Sequence, residues 1–472
     1  MTATADTNRP GAIALAPAAP LPEFVRPPAT VLPPIDVARL IETQRLNAFV
    51  IRLVVLSWFV TFFDGFDLNV IAFAAPYLRS AYSLDQAALG AVFASGSAGA
   101  LLGGLLFGFI GDRIGRRRAI VAAVGLFGIL TLALAAADHT SELLLARFLS
   151  GIALGGALPL IWALNIEYVP TRYRATVVTL IMVGYGLGVC VAGPLSIVLI
   201  PRYGWQSVFV FGGVASLGTA ALVWYQLPES LRFLMHRGGD PQRIAHIVRR
   251  LIPERRIEAS QLVFAPTPPP HSRNSTLLFA GPLRYLTPLL WLAFAASSIT
   301  MYFFVTWGPI VFEQAGLSRS GAAWSTSFNS LVGTAGAVIL MRFTDRLGPA
   351  SLAVMPIIAV PLLLIMGLTH VAPATFMAMT ALMYLLLGGS HYGIQSILGI
   401  YYPTGERARG AGWAASVGKV GGVAAPLLGT WLLMHDASRS PFVVLAVFPA
   451  LFAAGVIAIG VIARRSGLTA TR

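Results

Sequence analysis

Charged side chains are scarce in this sequence. Asp, Glu, Lys and Arg make up 11% of the 472 residues, whereas a soluble protein of this size carries about 25%. Hydrophobic residues make up 56%, and the mean hydropathy is +0.76. This shortage of charge, together with repeated apolar runs, argues against a soluble globular protein and predicts a chain that crosses a membrane many times.

Cysteine and the motifs of enzyme sites are also nearly absent. Cys190 is the single cysteine and lies in an apolar run, which excludes an internal disulfide. The stretch "GYGLG" (184–188) follows no strand, so it is not a dinucleotide site. The sequence shows no metal-ligand spacing, nucleophile elbow or phosphate loop. We therefore predict neither an enzyme nor a cofactor.

Long apolar windows take the place of these missing features. About 20 mostly apolar residues are needed to cross the hydrocarbon core as a helix. Twelve windows meet this length and predict an all-α membrane protein: 50–75, 88–110, 117–137, 142–166, 175–200, 206–226, 286–312, 322–343, 350–369, 373–400, 408–434 and 441–463. We number them spans 1 to 12.

The spans divide into two similar halves. We predict an N-terminal tail, a six-helix half, a central loop, a second six-helix half and a C-terminal tail, with bounds at 1–48, 49–226, 227–285, 286–465 and 466–472. "GDRIG" (111–115) matches "TDRLG" (344–348), and "YVPTRYRA" (168–175) matches "YYPTGERA" (401–408). Both matches have the same separation in sequence number, which we call the repeat offset. Two matches at one offset indicate a duplicated six-helix unit, an architecture typical of transporters.

Arginines are distributed unevenly between the two sides of the predicted bundle. Loops on the side of the N-terminus contain 27 basic residues, and loops on the other side contain 4. Because cytoplasmic loops of membrane proteins are enriched in Lys and Arg, both termini should be cytoplasmic. The net charge of +14 then reflects topology and requires no nucleic-acid partner.

Two carboxylates interrupt span 1. In "FVTFFDGFDLNV" (59–70), Asp64 and Asp67 are three residues apart and share one helix face. A charged aspartate at the centre of a membrane helix costs about 2.5–3.5 kcal/mol, so such residues normally face a cavity or a partner. Close carboxylates in a poorly solvated cavity hold protons more readily than isolated ones. We predict that the pair couples transport to protons, favouring Asp67, with helix pinning as the alternative.

Three further charged residues in or next to the spans are candidates for function. Lys419, the only lysine in the chain, lies in span 11, either as a charge partner for an aspartate or as a counter-ion for a substrate carboxylate. Arg147 lies near the outer end of span 4, where its side chain could reach water. Glu167 ends span 4 and is expected to pair with Arg172 or Arg174, as a gate or as a plain helix-end salt bridge.

Several motifs resemble the major facilitator superfamily. "GFIGDRIGRRRAI" (108–120) resembles its loop motif between helices 2 and 3, and "RFTDRLGPA" (342–350) is the weaker copy between helices 8 and 9. "LPESLRFL" (227–234) resembles the element that follows helix 6. The resemblance covers about residues 45–465 and implies two pseudo-symmetric six-helix halves.

Within the superfamily, the chain is similar to the aromatic acid:proton symporter family. The similarity rests on "DGFD" (64–67), "TWGPIVFEQAGLS" (306–318) and "SVGKVGGVAAPLLG" (416–429). Two departures are Lys419, where the family more often has arginine, and "TWGPI", where Trp-Leu-Pro is usual. The resemblance implies a transporter for acids such as 4-hydroxybenzoate or protocatechuate, and a role for Arg147 in coupling or binding.

The resemblance also implies gating residues. The aspartate of the loop motif would meet a neighbouring helix N-terminus and nearby arginines, stabilising an outward-open state. The gating candidates are Asp112, Arg113, Gly115, Arg116, the mirror pair Asp345 and Arg346, and Glu167 and Arg407.

Aromatic and polar residues within spans are candidates for lining a substrate cavity, because rings stack on an aromatic acid and amides or hydroxyls bind its substituents. Besides Lys419 and Arg147, the substrate-binding candidates are Tyr302, Trp307, Asn329, His391, Tyr392 and Gln395. Each is individually compatible with plain helix packing. His391 is favoured because it is polar, lies within a span and follows the glycine pair 388–389.

We predict proton-coupled uptake of a small aromatic carboxylate by a monomer in a bacterial-type inner membrane, working by alternating access and driven by the proton gradient. Two alternatives are a transporter of another organic acid and an efflux antiporter. The antiporter is suggested by "GLGVCVAGPL" (186–195), which partly resembles the glycine-proline element of drug exporters. A membrane sensor or scaffold is disfavoured, because it would not need charges buried in opposing halves.

Overall fold

The fold is built almost entirely of long helices. A computed structural model describes residues 35–44, 46–237, 240–252, 262–263, 278–347, 349–402, 407–435 and 441–466. The first 34 residues of the predicted N-terminal tail, and the stretch "PTPPP" (266–270) of the predicted central loop, lie outside these residues. Helices dominate because a chain surrounded by lipid must satisfy its backbone hydrogen bonds within each segment.

The described residues of the N-terminal part form nine helices and a short strand. Its elements are β1 (Ile35–Asp36), α1 (Val37–Thr43), α2 (Ala48–Tyr82), α3 (Gln86–Ile114), α4 (Arg116–Ala135), α5 (Thr140–Tyr168), α6 (Thr171–Tyr203), α7 (Gln206–Gln226), α8 (Leu231–His236) and α9 (Pro241–Leu251). Helices α2 to α7 correspond to predicted spans 1 to 6. Strand β1 pairs in parallel with β2 (Leu262–Val263) of the central loop.

In the C-terminal part, the residues that the structure describes form seven α-helices. They are α10 (Leu283–Gln314), α11 (Arg319–Leu347), α12 (Val354–Leu368), α13 (Pro373–Tyr401), α14 (Arg407–His435), α15 (Pro441–Leu445) and α16 (Val447–Arg465), with a 3-10 helix at Pro349–Ala353 before α12. They correspond to predicted spans 7 to 12, with α15 and α16 together forming span 12.

Eleven helices among the described residues are long and apolar enough to cross a membrane. Helix α11, which contains the predicted span 322–343, is not among these eleven, although its 29 residues are long enough. Many side chains in its last part lie outside the described residues. Polar side chains lower its hydropathy, and those of Ser325, Ser327 and Asn329 are buried. Because these polar groups contact protein, α11 does not need a uniformly apolar surface.

Close helix contacts repeat at the same offset as the sequence motifs. A Cβ atom added at Gly103 would lie 2.0 Å from the Ile152 carbonyl oxygen, and one added at Gly336 would lie 2.1 Å from the Leu385 oxygen. The second pair is the first pair shifted by the repeat offset. Helices α3 and α5 therefore cross in the same way as α11 and α13.

A second pair of crossings repeats in the same way. A Cβ at Gly188 would lie 1.9 Å from the Phe62 oxygen, and one at Gly421 would lie 2.8 Å from the Ala295 oxygen. These contacts join α2 to α6 and α10 to α14. The duplication predicted from two loop motifs thus extends to the glycines that set helix packing.

The two halves share a hydrophobic core at one end of the bundle. There, buried residues of both halves form one cluster, and the Phe93 ring of α3 contacts the Trp307 ring of α10 edge-on at 5.2 Å. At the other end, where α1, the turn at Gly115 and α9 lie, each half has its own cluster of described residues. We call these the far end and the tail end. The halves are therefore joined at the far end and have separate cores at the tail end.

Helix α1 packs on the N-terminal half. Its apolar side, formed by Val37, Leu40 and Ile41, is buried against protein in that half. The Thr171 hydroxyl donates to Glu42 at 2.6 Å, and this hydrogen bond lowers the pKa of that carboxyl below its ordinary value. The apolar face of α9 is buried in the same cluster.

The α3–α5 crossing gives a first prediction. Gly103→Ala places a methyl group against the Ile152 carbonyl, and overpacking of this kind costs about 1–3 kcal/mol. Gly108, on the same helix, has no atom within 4 Å of an added Cβ. Thermal unfolding in detergent should show a lower Tm for Gly103→Ala and an unchanged or higher Tm for Gly108→Ala. Equal Tm values for the two variants would contradict the packing.

Candidate functional site

A buried ion pair joins α2 to α5. The Arg147 guanidinium donates to Asp67 Oδ2 at 2.5 Å, and each side chain is 5% exposed. The expectation that Arg147 reaches water is therefore wrong, because it turns inward to Asp67. Gly96 of α3 leaves the space for it, since an added Cβ there would lie 2.8 Å from Arg147 Nε.

The ion pair is not fully satisfied. Among the described residues, neither Asp67 Oδ1 nor Arg147 Nε has a hydrogen-bond partner. Buried polar atoms usually have a hydrogen-bond partner, from protein or from ordered water. Asp67 Oδ1 can therefore accept one more hydrogen bond, and the Arg147 Nε–H can donate one more.

Asp64 lies one helical turn before Asp67 and is half-buried. Within the described part of the chain, no hydrogen bond or ion pair to Asp64 is found. Its charge interacts with Asp67, Lys419 and Arg147 through space. The two aspartates predicted from sequence therefore have different environments. Asp67 forms an ion pair with Arg147, whereas Asp64 forms no ion pair with any described residue.

Lys419 crosses from the C-terminal half to the N-terminal half. Its ammonium group donates to the Ala100 oxygen of α3 at 3.1 Å and to the Gly155 oxygen of α5 at 3.4 Å. It also interacts electrostatically with Asp64. The ammonium group of Lys419 is therefore hydrogen-bonded to main-chain oxygens and interacts with Asp64 through space.

The C-terminal half has neutral residues at the positions of these charged residues. At the repeat offset, Asp64 corresponds to Ser297, Asp67 to Thr300 and Arg147 to Thr380. Ser297 contacts His391 Nδ1 at 3.0 Å through its hydroxyl, and Asn329 donates to Thr380 at 3.3 Å. The charges are thus a property of one half and are not required by the shared helix packing.

The remaining cavity candidates lie in different environments. Trp307 is fully buried, and its indole N–H donates to the Pro426 oxygen at 3.1 Å. Tyr302 lies beside Gly422, where an added Cβ would be 3.4 Å from its ring. The side chains of Tyr392 and Gln395 lie outside the described residues. Trp307 therefore packs the shared core, while Tyr302 lies next to a glycine three residues from Lys419.

The loop motif at the tail end contacts α5 and the segment before α8. Arg116 forms an ion pair with Glu167, which also accepts a hydrogen bond from the Ser230 hydroxyl at 2.5 Å. The predicted pairing of Glu167 with Arg172 or Arg174 is wrong. Arg172 donates instead to the Gln44 oxygen at 3.0 Å, and Arg174 pairs with Glu42 at the same distance.

Glu229 is a site residue that the sequence reasoning missed. It is 6% exposed and accepts hydrogen bonds from the backbone N–H groups of Arg117 and Ser230 at 3.0 and 2.9 Å. An added Cβ at Gly115, whose φ is +100°, would lie 2.5 Å from its carboxylate. The resemblance of "LPESLRFL" to a superfamily element was the signal that pointed to this residue.

The other gating candidates are only partly described. Asp112 is exposed, and none of its hydrogen bonds or ion pairs falls within the described residues. Arg113 lies over the Phe109 ring at 4.0 Å. The side chains of Asp345, Arg346 and Arg407 lie outside the described part of the chain.

A cavity of about 200 Å³ lies at the far end between the halves. Residues of α2, α6, α10 and α11 line it, among them Tyr77, Glu313 and Arg319. Arg319 lies over the Tyr77 ring at 5.2 Å and 3.7 Å from the Glu313 carboxylate. The charged group formed by Asp64 and its neighbours does not contribute to the lining of this cavity.

The buried ion pair gives a prediction for stability. Arg147→Gln leaves Asp67 buried without its cation, and breaking a buried pair in this way costs about 3–5 kcal/mol. The double variant Asp67→Asn/Arg147→Gln should recover much of that loss, whereas Arg319→Gln, at an exposed site, should cost little. Thermal unfolding in detergent measures all three. Additive losses in the double variant would show that the two side chains do not interact.

Comparison with known proteins is consistent with this architecture. Residues 57–360 and, in an overlapping match, 290–470 match the Major Facilitator Superfamily. The chain is 32% identical to the gallate transporter of Pseudomonas putida, over 86% of this chain and 90% of that protein. It is also 32% identical to the 4-hydroxybenzoate transporter PcaK of the same organism, over 84% and 88%.

Solved structures show the same fold. The inward-open xylose transporter XylE of E. coli superposes with a TM-score of 0.70 at 17% identity, over 87% of this chain and 96% of that one. These relatives are transporters rather than enzymes. The chain is therefore a multi-pass membrane protein of the Major Facilitator Superfamily and belongs to its family of aromatic acid transporters.

Proposed function

We propose that this protein takes up a small aromatic carboxylate together with protons, by alternating access, across a bacterial-type inner membrane. The observation that carries the proposal is the group of charges where the halves meet, with Asp64, Asp67 and Arg147 in one half and Lys419 in the other. Intramembrane charges of this kind mark ion and substrate pathways. The relatives that transport gallate and 4-hydroxybenzoate support the substrate class.

Asp64 is the proton carrier in this proposal. Asp67 is bound to Arg147 at 2.5 Å, so its carboxylate already has a cation partner. Asp64 is half-buried and has no described ion-pair partner. The geometry therefore supports Asp64 over Asp67, which reverses the preference from sequence alone. In this proposal Asp67 and Arg147 remain ion-paired and maintain the relative positions of α2 and α5.

Lys419 is the counter-ion for the substrate carboxylate in this proposal. Its present partners are neutral carbonyl oxygens, and a carboxylate accepts a hydrogen bond from an ammonium group more strongly than a carbonyl does. Tyr302, near Lys419 across Gly422, and His391, near Ser297, are our candidates for contacting the aromatic ring and its substituents. Trp307 is assigned to packing.

The state described here is inward-facing if the tail end is cytoplasmic. The arginine distribution supports that orientation. The halves share their core at the far end and have separate cores at the tail end. We propose that the Arg116–Glu167 pair and Glu229 keep the tail end of the N-terminal half rigid, so that Asp112, Arg113 and the mirror residues Asp345 and Arg346 meet the other half in the outward-facing state.

Co-transport of a proton with the anion has an electrostatic benefit. Moving one elementary charge across the membrane costs about 2.3 kcal/mol per 100 mV against the field. A proton on Asp64 and an anion on Lys419 neutralise both charges before the halves move. The empty carrier returns with Asp64 and Lys419 able to neutralise each other, since their charges already interact in this state.

Substrate and coupling are tested by uptake into proteoliposomes. We expect labelled 4-hydroxybenzoate or gallate to accumulate when an inward proton gradient is imposed, and accumulation to stop when an ionophore collapses it. Unlabelled aromatic acids should compete. Failure of every aromatic acid tested to accumulate or compete would overturn the substrate class, and accumulation independent of the gradient would overturn coupling.

The role of Asp64 is tested by separating accumulation from exchange. Asp64→Asn should abolish gradient-driven accumulation while retaining exchange of labelled for unlabelled substrate, because exchange needs no net proton movement. Asp67→Asn should reduce both, because it leaves Arg147 buried without its carboxylate. Asp138→Asn, at an exposed position, serves as the control. Normal accumulation by Asp64→Asn would assign the proton to another group.

A further inference from the structure

Lys419 donates to two main-chain oxygens within helices, and such oxygens rarely accept a hydrogen bond from a side chain on another helix. In an α-helix each carbonyl accepts the N–H four residues later and is flanked by the neighbouring side chains. Here the Ala100 and Gly155 oxygens, on different helices, both accept from one ammonium group at 3.1 and 3.4 Å. A local cause must therefore make each of them accessible.

Gly104 makes the Ala100 oxygen accessible. It lies one turn later on α3, and a Cβ added there would lie 2.6 Å from Lys419 Nζ. Real Cβ atoms essentially never make so short a contact, so a side chain at 104 would shift the ammonium group of Lys419 from its present position. The absence of a side chain at 104 opens the way to the carbonyl.

Pro159 makes the Gly155 oxygen accessible. It lies four residues later within α5, where the helix would supply the N–H for that oxygen. Proline has no N–H, so the Gly155 carbonyl loses its α-helical donor. A carbonyl without that donor is a better acceptor for a cation from outside the helix.

Glycine packing brings the two oxygens together. A Cβ at Gly155 would lie 2.2 Å from the Ala100 oxygen, and one at Gly99 would lie 2.0 Å from the Phe148 oxygen. Helices α3 and α5 therefore cross at backbone contact around this point. The result is a cradle, which we define as the Ala100 and Gly155 oxygens together with Gly104 and Pro159.

We propose that this cradle is a resting site for Lys419 that competes with the substrate carboxylate for the same ammonium group, so that Gly104 and Pro159 set substrate affinity without touching substrate. The inference rests on the proposed role of Lys419 as substrate counter-ion. Two neutral carbonyls keep the ammonium hydrogen-bonded, but its charge is balanced only through space by Asp64. A bound carboxylate would accept the hydrogen bond and balance the charge by direct contact. Substrate binding therefore draws Lys419 from the cradle and removes its hydrogen bonds to the opposite half.

The fact that Lys419 is the only lysine allows a test that does not need substrate. An amine-reactive reagent followed by peptide mass spectrometry reports the modification rate of this one side chain. Gly104→Ala should raise the rate roughly fivefold, the ratio expected when about one net hydrogen bond is lost. Gly108→Ala, on the same helix and with open space around it, is the control. An unchanged rate in Gly104→Ala, with the wild-type Tm, would overturn the resting site.

Competition is tested by binding. With purified protein in detergent and labelled 4-hydroxybenzoate as the probe, Gly104→Ala and Pro159→Ala should each lower Kd several-fold, because the cradle competes less well. A purely structural cradle would raise Kd or leave it unchanged, and either result overturns the proposal. If wild-type protein binds no aromatic acid, the proposed function fails by itself, and the lysine modification rates still decide whether the cradle holds Lys419.

Discussion

The constraint on which the site depends is the burial of Asp67 and Arg147 as one ion pair between α2 and α5. Two charges taken out of water are tolerated only when each compensates the other. Their 2.5 Å contact fixes the rotation of α2 against α5. Since Asp64 lies one turn away on the same helix face, the pair also fixes where Asp64 faces. Gly96 provides the space that this arrangement needs.

The two halves have the same helix packing but differ in their charged residues, and this difference separates scaffold from function. Glycine contacts repeat at the offset of the sequence motifs, at Gly103 and Gly336 and again at Gly188 and Gly421. The charges do not repeat: the counterparts of Asp64 and Arg147 in the second half are the neutral residues Ser297 and Thr380. Duplication therefore explains the scaffold, and the charged residues are additions to one copy of it. Lys419 extends from the other copy to complete the group.

Much of this arrangement could be predicted from the sequence, because hydropathy fixes the spans, arginine counts indicate their orientation and an aspartate in an apolar run stands out. Partners could not be predicted. That Asp67 binds Arg147 and that Glu167 binds Arg116 depend on which helix faces meet across the bundle. The contact of Lys419 with Ala100 joins residues 319 positions apart and depends on a missing side chain at Gly104. One sequence contains no direct signal for such a contact.

The central claim is that binding of an aromatic carboxylate and protonation of Asp64 are linked. Proton uptake on substrate binding tests it most directly, measured with a pH indicator in weakly buffered detergent solution as 4-hydroxybenzoate is added to purified protein. An added anion near Asp64 favours its protonated form, so the account predicts net proton uptake by the wild-type protein and none by Asp64→Asn. Substrate binding without proton uptake, or equal uptake by both proteins, would contradict it.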